Sequence, residues 1–244
     1  MVRAMLIAVL ITIGLQGNAQ TESRITRYNY FFLEAIRQQE MGNLAAAFDL
    51  LNHARDINPK APEVYYEIAG YYVAMQNSKA ARYNFEQAAK LAPDNSTYLE
   101  KLGQFYISQN NYEDALTTYE QLYTSNKTRE DVLQILYQLY GAQNNYKKMI
   151  EMIERMELLS GASEQLSLTK MQIYEQMGDK RKAQAELLRL VQKNPLELNY
   201  RVMLGNWLLQ NNKKKEAYNE YQTVLKEDPN NAAAQLSLLD YYRD

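Results

Sequence analysis

Prolines set the frame of this chain. Pro59, Pro93, Pro195 and Pro229 fall on one lattice with a step of 34 residues. The two lattice points between them, Lys127 and Gly161, lie in the polar segments TSNKTRE and LLSGASE. Proline lacks an N–H and disfavours helix in the residue before it, so these are places where a helix has to stop. The fifth proline, Pro62, opens the following segment, where a first helical turn tolerates it. A chain punctuated at equal steps cannot sustain the unbroken heptads of a long coiled coil, and it reads as an array of repeated units.

Other columns keep the same register. Ala47, Ala81, Ala115, Ala183 and Ala217 share one position, interrupted only by Met149. Four residues later stand Leu51, Phe85, Tyr119, Ile153, Leu187 and Tyr221, always large. A second small column runs Ala35, Ala69, Gly103 and Gly205, broken by Tyr137 and Met171. Asn, Gly or Asp punctuates the middle of each unit, as in MGN at Met41, SQNN at Ser108 and MGD at Met177. Within each half the apolar residues recur at helical spacing, which gives one buried stripe. The expected unit is therefore a helix, a tight turn and a second antiparallel helix, with small residues where the helices cross. One such hairpin cannot bury its apolar face alone, so units must stack. Composition agrees: 46% of the 244 residues are hydrophobic, and 9 Gly and 5 Pro are few for an all-β or loop-rich chain.

A 34-residue period with small, small, large and proline columns resembles the tetratricopeptide repeat. Six complete units start near Tyr28, Pro62, Ser96, Glu130, Glu164 and Leu198, and a partial seventh starts at Ala232. The resemblance implies an all-α, right-handed solenoid of antiparallel helix hairpins over residues 28–244, with 20–27 as a separate N-terminal segment. The fourth unit departs most: Tyr137, Met149 and Met156 stand in columns that favour small residues, so either a looser hairpin or repacking around adaptable methionines is expected there. In the partial seventh unit, Leu236, Leu238, Leu239, Tyr241 and Tyr242 point around most of the helix. That is too apolar for a terminal cap, and the natural chain is expected to continue.

Residues 1–19 form a separate object. Arg3 supplies a positive start, Ala4 to Leu15 a hydrophobic run, and Gly17-Asn18-Ala19 the small residues of a cleavage site before Gln20. The run is short for a membrane span, which needs about 20 residues. A cleaved signal peptide and a periplasmic or cell-envelope protein are expected. The junction and the Asn- and Tyr-rich composition resemble exported proteins of Bacteroidetes-type bacteria.

No reaction is announced. Cysteine is absent, which removes disulfides and thiolate chemistry. There is no Gly-rich phosphate loop and no H-E-x-x-H pair, and the lone His53 reads as a surface residue. No catalytic residue, metal site, cofactor or small-molecule substrate is expected. Acidic pairs such as Glu63 and Glu67 read as a solvated helix face. A net charge of -2 exerts no general pull on nucleic acid.

The family resemblance implies a protein-binding scaffold whose concave groove is lined by the first helix of each unit. Carried onto this chain, that face comprises Asn29, Phe32 and Ile36; Glu63, Tyr66 and Gly70; Thr97, Glu100 and Gln104; Asp131, Gln134 and Gln138; Gln165, Leu168 and Gln172; and Asn199, Val202 and Asn206. It contains no Lys or Arg, so a basic clamp for a partner's C-terminal carboxylate is missing. An uncharged or mildly basic protein segment is the expected occupant. A basic rim is a second feature: Lys147 and Lys148, then Lys180, Arg181 and Lys182, then Lys213, Lys214 and Lys215 enter successive second helices in one register. Such a rim would suit an acidic partner, an envelope glycan or lipid headgroups. A further alternative makes the array an interaction arm of a longer protein.

Overall fold

A computed structural model describes residues 22–243; the expected signal peptide over 1–19 lies outside the described residues. Thirteen helices and no strand are found among them. They divide into two compact units, the first ending at Lys127 and the second beginning at Thr128.

The first unit holds three hairpins: α1 (22–40) with α2 (Leu44–Ile57), α3 (Pro62–Ala74) with α4 (Ser78–Leu91), and α5 (Ser96–Ser108) with α6 (Tyr112–Ser125). The second holds α7 (Glu130–Ala142) with α8 (Tyr146–Ser160), α9 (Glu164–Gln176) with α10 (Lys180–Lys193), α11 (Leu198–Gln210) with α12 (Lys214–Glu227), and the single α13 (Ala232–Arg243). Within each unit the second helix of one hairpin packs on the first helix of the next. Residues 22–27 of the expected N-terminal segment lie in α1, where Arg24 donates to the carbonyl of Ile57.

The mid-unit punctuation has a conformational cause. Gly42, Gln76, Asn110, Asn144, Gly178 and Asn212 all take φ between 54° and 80°, one in each hairpin turn. The next residue bonds back over the helix just ended, as Asn77 N–H does to the Tyr72 carbonyl and Asn111 N–H to Tyr106. That left-handed residue closes a Schellman-type C-cap. The same following residue then begins the second helix, and the side chains of Asn77, Asn111, Asn145 and Asp179 accept from an N–H three residues on. One dipeptide thus ends a helix and starts its partner.

The columns pack as compensating pairs. A Cβ on Gly103 would lie 2.6 Å from the Tyr119 ring, and one on Gly205 would lie 2.4 Å from Tyr221. Where the large column holds Leu51 or Phe85, the facing small residue is Ala35 or Ala69. The fourth hairpin is filled, not open: Leu133, Leu136, Ile150, Met152, Ile153 and Met156 are all buried, the adaptable methionines taking up the altered space. In α13, Leu238 and Tyr241 pack on the core of the second unit while Leu236, Leu239 and Tyr242 stay exposed.

Candidate functional site

In the first unit the first helices α1, α3 and α5 present a continuous face with two clefts. The larger, about 430 Å³, lies between α3 and α5 and is lined by Tyr66, Glu67, Gly70 and Val73, by Lys101, Gln104, Phe105 and Ser108, and by Phe85 beneath. The smaller, about 210 Å³, lies between α1 and α3 against Gln39, Leu44, Glu67, Gly70, Tyr71 and Ala74. Glu67 and Gly70 border both. The aromatic floor is ordered by ring packing: Phe85 and Phe105 sit 5.5 Å apart, and Tyr66 lies 5.1 Å from Tyr98.

The expectation that Glu63 and Glu67 form a solvated face is corrected here. Glu63 accepts from the Tyr28 hydroxyl, and burial, with that bond, pushes the Tyr28 phenol well above its usual range. Glu67 is partly buried, and its carboxyl is raised by desolvation in spite of a hydrogen bond from Gln39. The Tyr71 hydroxyl donates to the same Gln39 side chain at 3.1 Å.

Of the residues assigned to the groove from sequence, Tyr66, Gly70 and Gln104 line the larger cleft. Phe32 is half-buried, stacked 5.9 Å from Tyr28 and packed on the core, and Ile36 is likewise half-buried. Asn29 and Thr97 are exposed and Glu100 is half-exposed on the same helices. In the second unit, Gln134, Gln138, Gln172 and Asn206 are exposed on first helices, and Asn206 accepts from the Tyr221 hydroxyl at 2.8 Å. Val202 does not face a groove: it is 5% exposed in a core cluster with Val224 and Ala234, because α13 covers it. Glu67, Val73, Lys101, Phe105 and Ser108 were missed. Glu67, Lys101 and Ser108 are the i+4 neighbours of Glu63, Thr97 and Gln104, while Val73 and Phe105 flank Gly70 and Gln104, so the narrow stripe left out the full width of helix that lines a cleft.

The basic rim divides in two. Lys148 lies over the Tyr140 ring and pairs with Glu151, Lys182 lies over Tyr174, and Lys213 lies over Trp207 and donates to Gln184. These three are packing residues as well as charges. Lys147, Lys180, Arg181, Lys214 and Lys215 are exposed, with no ion-pair partner among the described residues.

A second cluster went unseen in the sequence. Lys170, 5% exposed, sits 2.8 Å from Glu157 and 2.9 Å from Glu186, joining α8, α9 and α10. Arg189 reaches Glu157 at 2.7 Å and Ser167 at 2.6 Å. Burial works to raise the Glu157 carboxyl, but Lys170 and Arg189 outweigh it and hold the pKa below the usual range. Two acids and two bases balance, and no group capable of holding a metal ion occurs among the described residues. No described helix is long and apolar enough to cross a membrane.

A family model described as tetratricopeptide repeat matches residues 66–129 and 168–232, together more than half of the chain. No curated protein matches. Among solved structures, a tetratricopeptide repeat protein from Parabacteroides merdae ATCC 43184 is 16% identical over 88% of this chain and 86% of its own, with a TM-score of 0.51. A chain of Naa15/Naa10 bound to HypK-THB is 18% identical with a TM-score of 0.62, over 94% of this chain but 36% of that one. MamA AMB-1 is 20% identical over 66% of this chain and 88% of its own, at a TM-score of 0.51. At these identities the likeness is one of fold.

Proposed function

Because the chain belongs to the tetratricopeptide repeat family, we propose that it is a non-catalytic protein–protein scaffold of the periplasm or cell envelope that holds a segment or helix of a partner on the α1, α3 and α5 face. The observation that carries this reading is the pair of clefts along that face, with an aromatic floor and polar walls. The larger cleft alone has the volume of a small-ligand pocket, about 300–1,000 Å³, which is enough to seat a partner's side chain. Amides such as Gln39 and Gln104 beside it can pair with a partner's backbone.

The test is covalent capture of partners from an envelope fraction of the producing cell by the wild type and by a Tyr66→Ala, Gln104→Ala variant. Truncating a cleft-lining aromatic is expected to weaken capture of the same protein by about tenfold. Equal capture by both would refute the groove reading. The mass of the mature protein, starting at Gln20, checks export.

A second reading places anionic envelope glycan or lipid headgroups on the second unit's rim. Its support is the exposure of Lys147, Lys180, Arg181, Lys214 and Lys215 without internal partners. Binding to anionic vesicles that falls steeply with salt and on charge reversal of these five would favour it.

A further inference from the structure

Glycines inside helices need a reason, since each costs about 0.5–1 kcal/mol against alanine. Gly103 and Gly205 have one in the tyrosine rings that would strike a Cβ. Gly42, Gly161 and Gly178 have one in their positive φ. Gly141 would place its Cβ in ordinary contact with Met149. Gly70 has none of these: it lies in the interior of α3, its φ is not left-handed, and a Cβ there would meet nothing within 4 Å. Folding does not require glycine at this position. Its missing side chain does leave the floor open where the two clefts adjoin.

Beside that opening stands Glu67, partly buried at the edge of both clefts. A carboxylate that has lost part of its water is costly until a cation or strong donor replaces it. Gln39 supplies one hydrogen bond, and no ion-pair partner of Glu67 occurs among the described residues. Glu63 and Glu100 add negative charge on α3 and α5, against the single Lys101 on the far wall. The apolar lining comes from Tyr66 and Val73 on α3, Phe105 on α5 and Phe85 beneath, with Val73 48% exposed.

We propose that Gly70 and Glu67 form a recognition pocket for a partner segment that carries a bulky apolar side chain next to a lysine or arginine. The apolar group fills the space over Gly70 against the rings, and the cation meets Glu67. The inference rests on the groove reading above and adds the chemistry of the occupant. Charge complementarity selects the class: the face offers carboxylates to a cation and an aromatic floor to a ring or branched chain.

The test uses the mature chain and a displayed library of random dodecapeptides. Enriched peptides are expected to carry Lys or Arg within two residues of an aromatic, Leu, Ile or Met. Their affinity should fall at least tenfold for Gly70→Leu and about tenfold for Glu67→Gln. Gly70→Leu enters open space on a helix, so its fold is expected to persist, and thermal unfolding checks this. Peptides that lose binding to Tyr66→Ala but not to Gly70→Leu or Glu67→Gln overturn this inference and leave the groove reading standing. Peptides indifferent to all three variants, or no enrichment, overturn both.

Discussion

The two units solve one packing problem with different chemistry. At equivalent positions of successive first helices stand Ile68, Leu102, Leu136 and Leu204, all buried, and Lys170, equally buried. One turn earlier, Leu99 and Leu133 are matched by Ser167. The first unit keeps these first-helix columns apolar, its buried polar side chains Asn84 and Thr118 lying on the second helices α4 and α6, and opens clefts on its first-helix face. The second accepts a four-charge cluster in its core and shows mainly amides, Gln134, Gln138, Gln172 and Asn206, on the corresponding helices. The lesson is that the 34-residue register sets the backbone, and that a column's chemistry can change when the neighbouring columns change with it. Glu157 and Glu186 are present where Lys170 needs them.

The largest expected effect breaks that compensation. Lys170→Leu restores the residue type of the other units yet leaves Glu157 and Glu186 in a buried site with only Arg189. Removing one member of a buried ion cluster costs about 3–5 kcal/mol. Adding Glu157→Val, with Glu186 and Arg189 still 2.9 Å apart, should recover most of the loss. Trp207, the chain's one tryptophan, lies in the second unit's core and reports its urea unfolding by fluorescence. A neutral or stabilising Lys170→Leu would show that the cluster contributes nothing.

Legibility in the sequence follows the same division. The lattice of Pro59, Pro93, Pro195 and Pro229 placed the hairpins, and the Asn and Gly punctuation marked turns whose left-handed residue the structure locates at Gln76, Asn110 and Asn144. Such signals are local, because each residue acts on its own backbone. The burial of Lys170 was illegible because its partners lie on α8 and α10, 13 and 16 positions away, and only packing brings them together. Val202 was misread for a related reason: the helix that covers it, α13, belongs to the next 34-residue repeat. Glu67 looked solvated because a helical projection shows which face a residue is on, not whether a cleft flanks it.

The next effect compares glycines across the units. Gly103→Ala in the first and Gly205→Ala in the second drive a methyl into Tyr119 or Tyr221, and overpacking of this kind costs about 1–3 kcal/mol. Gly70→Ala, with no neighbour to strike, should instead stabilise by about 0.5–1 kcal/mol. Pairing Gly103→Ala with Tyr119→Leu reproduces the Ala35 and Leu51 combination and should return part of the loss. Equal responses of Gly103 and Gly70 in thermal unfolding would refute the assignment of Gly70 to a ligand.

Acid separates Glu67 of the first unit from Glu157 of the second by sign. The folded-state pKa of Glu157 lies below its unfolded value, so its contribution is present above the ordinary carboxylate range and fades as pH falls through the folded pKa. Glu67 is shifted the other way: its ionised form is disfavoured in the folded chain, a penalty present at neutral pH and relieved as pH falls below its raised pKa. Glu67→Gln should therefore raise the melting temperature at pH 7 and make no difference once both states are protonated. Glu157→Gln should lower it at pH 7, and that loss should shrink in acid. The same sign for both variants would contradict the two environments.

The smallest effect concerns the turns. Gln76 in the first unit and Asn212 in the second hold the same left-handed conformation, at φ 56° and 60°. An ordinary L-residue pays roughly 1–2 kcal/mol there, whereas asparagine visits the region with little penalty. Glycine relieves that strain but adds freedom to the unfolded chain, which takes back about 0.4–1 kcal/mol. Gln76→Gly should thus gain about 0.5–1 kcal/mol, while Asn212→Gly should stay near zero or lose slightly. Chemical denaturation of the two variants measures the difference directly. If Asn212→Gly gained as much as Gln76→Gly, residue identity would not matter at this turn, and the preference for Gly and Asn along the six hairpins would need a cause other than backbone strain.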